Sequence, residues 1–160
     1  MAKTEPTQTF DYDLDFAAID FREQPEPYRI GKGEQGVLLV EPYKSELLPH
    51  WRFRTPEAAR KSADALYQRF LEYKGQGDFV GMDMARTFLQ MGFTRARRYA
   101  NHRSGRKWSK DRERVLPLDP DPVKAASARI FYERYQQAKA DPDNGRMKAD
   151  HLDRQRRAGA

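Results

Sequence analysis

Cysteine is absent from all 160 residues, which excludes disulfides, thiolate metal sites and thiol nucleophiles and suits a reducing compartment. No stretch approaches the roughly 20 consecutive apolar residues that a membrane-spanning helix needs. The opening Met1-Ala2-Lys3-Thr4-Glu5-Pro6 has no apolar run behind a basic start, so no secretory signal is visible. These absences lead us to expect a cytoplasmic protein. Histidine is scarce: His50, His102 and His151 are too dispersed for a metal-ligand motif. With no cysteine to join them, we expect no metal and no cofactor.

What the chain does contain is enough for one core. Hydrophobic residues make up 38% and aromatics 12%, and large apolar groups are what disordered chains lack. At this length one domain is the default. We expect a flexible N-terminus over residues 1–9, a single globular domain over 10–140 and a polar C-terminal tail over 141–160. The tail offers only Met147 and Leu152 as sizeable apolar groups, so it has little to bury.

The net charge of +6 and the pI near 9.6 imply attraction to polyanions. The charge is unevenly placed. Residues 1–27 carry Glu5, Asp11, Asp13, Asp15, Asp20, Glu23 and Glu26 against Lys3 and Arg22, so the basic excess lies downstream.

Phe10, Tyr12, Leu14 and Phe16 alternate with aspartates at the period of a half-buried strand, or of an extended arm packed by its aromatic face. Tyr28-Arg29-Ile30 and Val37-Leu38-Leu39-Val40-Glu41 flank a glycine-rich connection and read as a hairpin. Thr55-Pro56-Glu57 starts a helix with a cap, a proline and an acid in the first turn. Its stripe is Ala59, Ala63, Leu66, Phe70 and Tyr73. Asp78 can cap a second helix that Gly92 ends, and Thr94 a third that runs to about residue 102. Asp121-Pro122 opens a fourth with Ala128, Phe131, Tyr135 and Ala138 on one stripe, and Asp141-Pro142-Asp143-Asn144-Gly145 stops it. The fold class expected is α+β: a small N-terminal hairpin or sheet against three to four helices, with mainly α as the alternative.

The densest basic cluster comprises Arg95, Arg97, Arg98, His102, Arg103, Arg106, Lys107 and Lys110, followed by Arg112 and Arg114, with Tyr99 and Trp108 interleaved. On a helix from Thr94, Arg95, Arg98 and His102 share one side, while Ala96, Tyr99 and Ala100 cluster on another that can pack inward. Guanidinium forks pair two-pronged with phosphate, and aromatic rings stack on exposed bases. The competing reading is a solvated basic face, or one neutralised by the chain's own acidic N-terminal stretch. A helix ending at Gly92 with an arginine-rich helix at once behind it also suggests a helix-turn-helix. The fit is partial, because Phe88 and Arg98 fall where a small and an apolar residue are usual.

Gly31, Gly33 and Gly36 spell the phosphate-loop pattern G-x-G-x-x-G. The strand-like run behind it suits a hairpin turn better than a dinucleotide loop, which must open a helix. Asp78 and Asp83 offer carboxylates for a magnesium-dependent phosphodiesterase, against the simpler reading of Asp78 as a cap and Asp83 as a solvated helix position. The other aromatics, Phe93 among them, read as core.

Three segments together carry a resemblance: Gly31-Lys32-Gly33-Glu34-Gln35-Gly36-Val37-Leu38-Leu39-Val40-Glu41-Pro42-Tyr43, Gly77-Asp78-Phe79-Val80-Gly81-Met82-Asp83-Met84-Ala85-Arg86 and Thr94-Arg95-Ala96-Arg97-Arg98-Tyr99-Ala100-Asn101-His102. With Phe10-Asp11-Tyr12 and Leu48-Pro49-His50-Trp51-Arg52-Phe53, they resemble the domain of unknown function 4385. The resemblance implies one intact domain in an intracellular setting and supplies no catalytic residue. From the residues themselves we expect a non-enzymatic nucleic-acid-binding protein whose arginine-rich helix and loop meet DNA or RNA. The alternatives are a protein-interaction module with a basic docking surface and a phosphate-handling enzyme using the loop at Gly31, Gly33 and Gly36.

Overall fold

The computed structural model describes residues 12–30, 34, 36–101, 108–109, 111–115 and 121–158. Five α-helices are found among them: α1 (Tyr43–Leu47), α2 (Pro56–Gly75), α3 (Phe79–Asn101), α4 (Pro122–Ala140) and α5 (Pro142–Ala158). No strand occurs among the described residues. The only β pairing there is an isolated bridge between Trp108 and Val115, so the architecture is mainly α and the expected α+β fold is corrected.

Helix α2 starts as its sequence dictates. Thr55 Oγ1 accepts from the Ala58 amide at 3.0 Å, Pro56 takes the first position, and Ala59, Ala63, Leu66, Phe70 and Tyr73 are all buried. Gly77, at φ +68°, ends it. The Gly77 amide reaches Lys74 O at 3.1 Å and the Asp78 amide reaches Tyr73 O at 2.9 Å, the paired bonds of a Schellman stop. Asp78 then caps α3 by accepting from the Gly81 amide at 3.0 Å.

Helix α3 runs unbroken through Gly92, where the sequence led us to expect a stop and a new cap at Thr94. The reason is packing. A Cβ at Gly92 would lie 2.3 Å from Phe131 Cδ1, so the glycine is the notch into which α4 presses its largest core ring. The glycine's low helix propensity, about 1 kcal/mol against alanine, is offset by burial of that ring. Thr94 does not cap; its single hydroxyl proton is shared between the Glu34 carboxylate and Met91 O, the latter 3.2 Å away. With no turn inside the helix, the helix-turn-helix reading is removed.

Helix α4 opens on Asp121, whose Oδ1 accepts from the Val123 amide at 3.0 Å and the Lys124 amide at 3.4 Å. The Asp121 amide donates to Ala100 O at 2.7 Å, pinning the start of α4 to the end of α3. With Phe131 against Gly92, this fixes the two helices antiparallel. The same aspartate-proline signal recurs at Asp141-Pro142 and starts α5 rather than ending the chain's structure. Asp141 Oδ1 accepts from the Asp143 amide at 2.9 Å, and Asp141 Oδ2 meets Lys74 Nζ at 2.9 Å. Helix α5 buries Asn144 and His151, so the segment expected to have little to bury contributes to the packing.

The N-terminal segment is irregular. Residues 12–14 turn, Phe16–Ala18 is one turn of 3-10 helix, and Tyr12 is exposed. The alternation there meets no partner strand among the described residues, and Asp20 bends the chain by accepting from the Arg22 and Glu23 amides. Phe21 and Tyr28 nevertheless enter the core. Residues 36–39 form turns that bury Val37 and Val40 while Leu38 and Leu39 stay exposed. The strand expected after Gly36 is therefore a buried corner, and Gly31 and Gly33 lie outside the described residues.

Candidate nucleic-acid interface

The last turns of α3 carry Arg95, Arg97, Arg98 and Tyr99, four of the twelve residues of the basic cluster. Ala96 and Ala100 are buried, which fixes the helix phase and turns Arg95, Arg97 and Arg98 to solvent. Among the described residues none of the three arginines forms an ion pair. Their position at the C-terminal end of a helix is electrostatically favourable even without a partner, because the backbone carbonyls there present partial negative charge.

Tyr99 departs from expectation. It does not pack inward with the alanines but lies 36% exposed, its ring 6.2 Å from Phe53 and 6.0 Å from the Lys124 amine. Lys124 is itself anchored on the Arg54 carbonyl at 2.5 Å, so Tyr99 is held by these neighbours while part of it stays exposed. Trp108 is 45% exposed beside its bridge to Val115. The turn there is closed by the Ser109 amide on Arg114 O and the Arg112 amide on Ser109 O, both at 2.9 Å, with Arg112 at φ 60°. His102, Arg103, Arg106, Lys107 and Lys110 lie outside the described residues.

Two groups absent from the sequence-derived set join the site from α4. Arg129 and Tyr132, with Ala125 and Ala128, face Phe93 and Arg97 across a shallow groove of about 220 Å³. The Phe93 and Tyr132 rings are 5.0 Å apart and tilted at 50°, and Tyr132 is 43% exposed. Phe93, assigned to the core from sequence, is only partly buried. The small residues Ala125 and Ala128, one turn apart on α4, are the local signal that their neighbours border a depression.

At the other end of α3 the polar side chains are occupied by one another. Arg22 grips Glu46 two-pronged at 2.8 and 2.6 Å and stands 3.7 Å from Asp78. Asp78 accepts from the Tyr43 hydroxyl at 2.6 Å, and Glu46 accepts from that of Tyr73 at 2.7 Å. Asp83, expected to be solvated, is buried. Its two oxygens take the Tyr28 hydroxyl and the Arg86 guanidinium, at 2.8 Å. Burial pushes the Tyr28 phenol well up, with the Asp83 charge adding to it; the Asp83 charge in turn holds Arg86 firmly protonated. Both aspartates proposed for magnesium are thus satisfied by protein groups. The larger cleft beside them, about 320 Å³, has Arg22, Asp78, Asp150, His151 and Arg154 among its lining. Its two arginines and two aspartates leave it no excess of either charge.

The family model for the domain of unknown function DUF4385 matches residues 11–154. The chain belongs to that family. Neither a curated protein nor a solved structure matches it. Within this DUF4385 domain both ends of α3 fall inside the matched span, the polar network at Asp78 and Asp83 as well as the arginine face. No helix among the described residues is long and apolar enough to cross a membrane.

Proposed function

We propose that this DUF4385 domain binds nucleic acid through the solvent face of the C-terminal half of α3. The observation that carries the reading is the set Arg95, Arg97 and Arg98, exposed together on a helix rooted by Ala96 and Ala100 and without ion-pair partners among the described residues. Guanidinium groups held on a rigid helix and not neutralised by the protein are suited to phosphate oxygens. Exposed Tyr99 and Trp108 add aromatic surface beside them, and the net charge of +6 favours encounter with a polyanion.

The test is a salt titration of binding to labelled single-stranded and duplex DNA and RNA, comparing the native chain with Arg95→Ala/Arg98→Ala. Each lost phosphate contact should flatten the slope of log affinity against log salt by about 0.9 on duplex DNA or about 0.7 on single strands. Both side chains are exposed, so the only stability change should be the small loss, under about 1 kcal/mol per residue, of their interaction with the helix end. A native chain that binds none of the four probes at low salt would overturn the proposal.

A further inference from the structure

We infer that the groove between α3 and α4 is a seat for one unstacked base, which makes the partner a single strand rather than a duplex. The inference rests on the nucleic-acid reading and adds the form of the ligand. The close approach of Phe131 to Gly92 draws α4 onto α3. One residue further along each helix, Phe93 and Tyr132 meet on the outer side with centroids 5.0 Å apart. Ala125 and Ala128 are too small to fill the space beside them, leaving a concavity of about 220 Å³, room for a single nucleobase.

The lining is of two kinds, and both suit the same ligand. Tyr132 is 43% exposed and its ring borders the groove, the kind of aromatic surface on which a free base stacks. Arg97 and Arg129 border the aromatics from opposite helices, both exposed and both without ion pairs among the described residues, so they can hold the phosphates on either side of a seated nucleotide. Glu34 accepts from the Thr94 hydroxyl on this stretch of α3 and does not line the groove. Inside a duplex the base faces are stacked on one another and only their edges reach the grooves. An aromatic floor recessed between two helices therefore selects bases that are already splayed out. Charge complementarity separates this occupant from an apolar peptide, which would leave two buried arginines unpaired.

The probes are labelled oligothymidylate, oligouridylate and a duplex hairpin, each titrated with the native chain, Tyr132→Ala, Tyr132→Phe and Arg129→Gln. Ultraviolet cross-links of the single strands are mapped in parallel by mass spectrometry. Single strands should bind more tightly than the duplex at equal salt. Tyr132→Ala should weaken them roughly five- to 150-fold, the range alanine substitution gives for one stacked base, while Tyr132→Phe holds within about twofold because the ring remains. Arg129→Gln should weaken single strands and flatten their salt slope by about 0.7. Cross-links should fall on Phe93 or Tyr132, a readout that stands even if Tyr132→Ala fails to fold. Equal affinity for strand and duplex, with Tyr132→Ala neutral and Arg95→Ala/Arg98→Ala still weakening both, would overturn the groove and leave the arginine face standing. Cross-links confined to other surfaces would also overturn it. Failure of every probe to bind the native chain would remove both readings together.

Discussion

His151 shows how a single buried group couples this fold to pH. Its Nε2 lies 2.7 Å from the Tyr28 carbonyl, and a carbonyl only accepts, so that nitrogen carries the proton and the neutral ring donates. Burial against Tyr28 and Phe79 pushes the imidazole below its ordinary 6.5, only partly countered by the Tyr28 carbonyl and the nearby Asp83 charge. Above about pH 6.5 the ring is neutral whether folded or unfolded. As pH falls below that, the unfolded chain takes up a proton that the native ring refuses, so stability drops until the pH passes the folded value. The slope in that window is at most about 1.4 kcal/mol per pH unit. Thermal unfolding at intervals from about pH 7.5 to 5 should show this loss in the native chain and a flatter profile in His151→Gln, whose amide can still donate to Tyr28. Equal slopes would mean that His151 is not the group responsible. The carboxyl of Glu46, lowered by its hydrogen bond from Arg22, contributes stability that is lost only at lower pH, below about 4.5, so the two windows separate.

At the scale of elements, the same glycine-to-alanine change should act with opposite sign in two helices. Gly145 in α5 has nothing within 4 Å of a Cβ. Alanine there should raise stability by about 0.5–1 kcal/mol through helix propensity. At Gly92 the added methyl would meet the Phe131 ring at 2.3 Å, and that ring is fully buried with nowhere to retreat. Overpacking of about 1–3 kcal/mol should outweigh the propensity gain and lower the urea midpoint, with partial recovery in Gly92→Ala/Phe131→Leu. If Gly92→Ala stabilised as Gly145→Ala does, α3 would owe its continuity to something other than this contact. Local signals account for the elements that were legible: the caps at Thr55, Asp78 and Asp121 and the apolar stripes of α2 and α4 act within a few residues of themselves. Gly92 misled because its partner sits on another helix. Alternating aromatics near Phe16 and the run after Gly36 misled because a strand is defined by a neighbour, and these segments bury side chains without one. The exposure of Arg95 and Arg98 followed from helical phase, the same phase that wrongly turned Tyr99 inward, whereas Arg129 and Tyr132 join them only through the pairing of α4 with α3.

On the scale of the described molecule, the arginine face and the anchored acidic stretch lie toward opposite ends of α3. The acidic stretch before residue 28 is anchored at the first turns of that helix, since Tyr28 binds Asp83 and Arg22 binds Glu46 and Asp78. Phe21 within it is a core residue, so removing this stretch to unmask the arginines would damage the fold instead. Arg98 lies fifteen residues beyond Asp83, about 22 Å along the axis at 1.5 Å per residue. That span exceeds two Debye lengths at physiological salt, about 8 Å each, and falls within the roughly 30 Å Debye length at 0.01 M. Charge-neutralising substitutions test the consequence without cutting the chain. Asp15→Asn, Glu23→Gln and Glu26→Gln together should leave nucleic-acid affinity nearly unchanged at about 0.15 M salt and tighten it at about 0.01 M, where repulsion between these acids and phosphate is no longer screened. Tightening of equal size at both salts would mean that the acidic stretch contacts the arginine face directly, and that the face is masked at short range by the chain's own carboxylates.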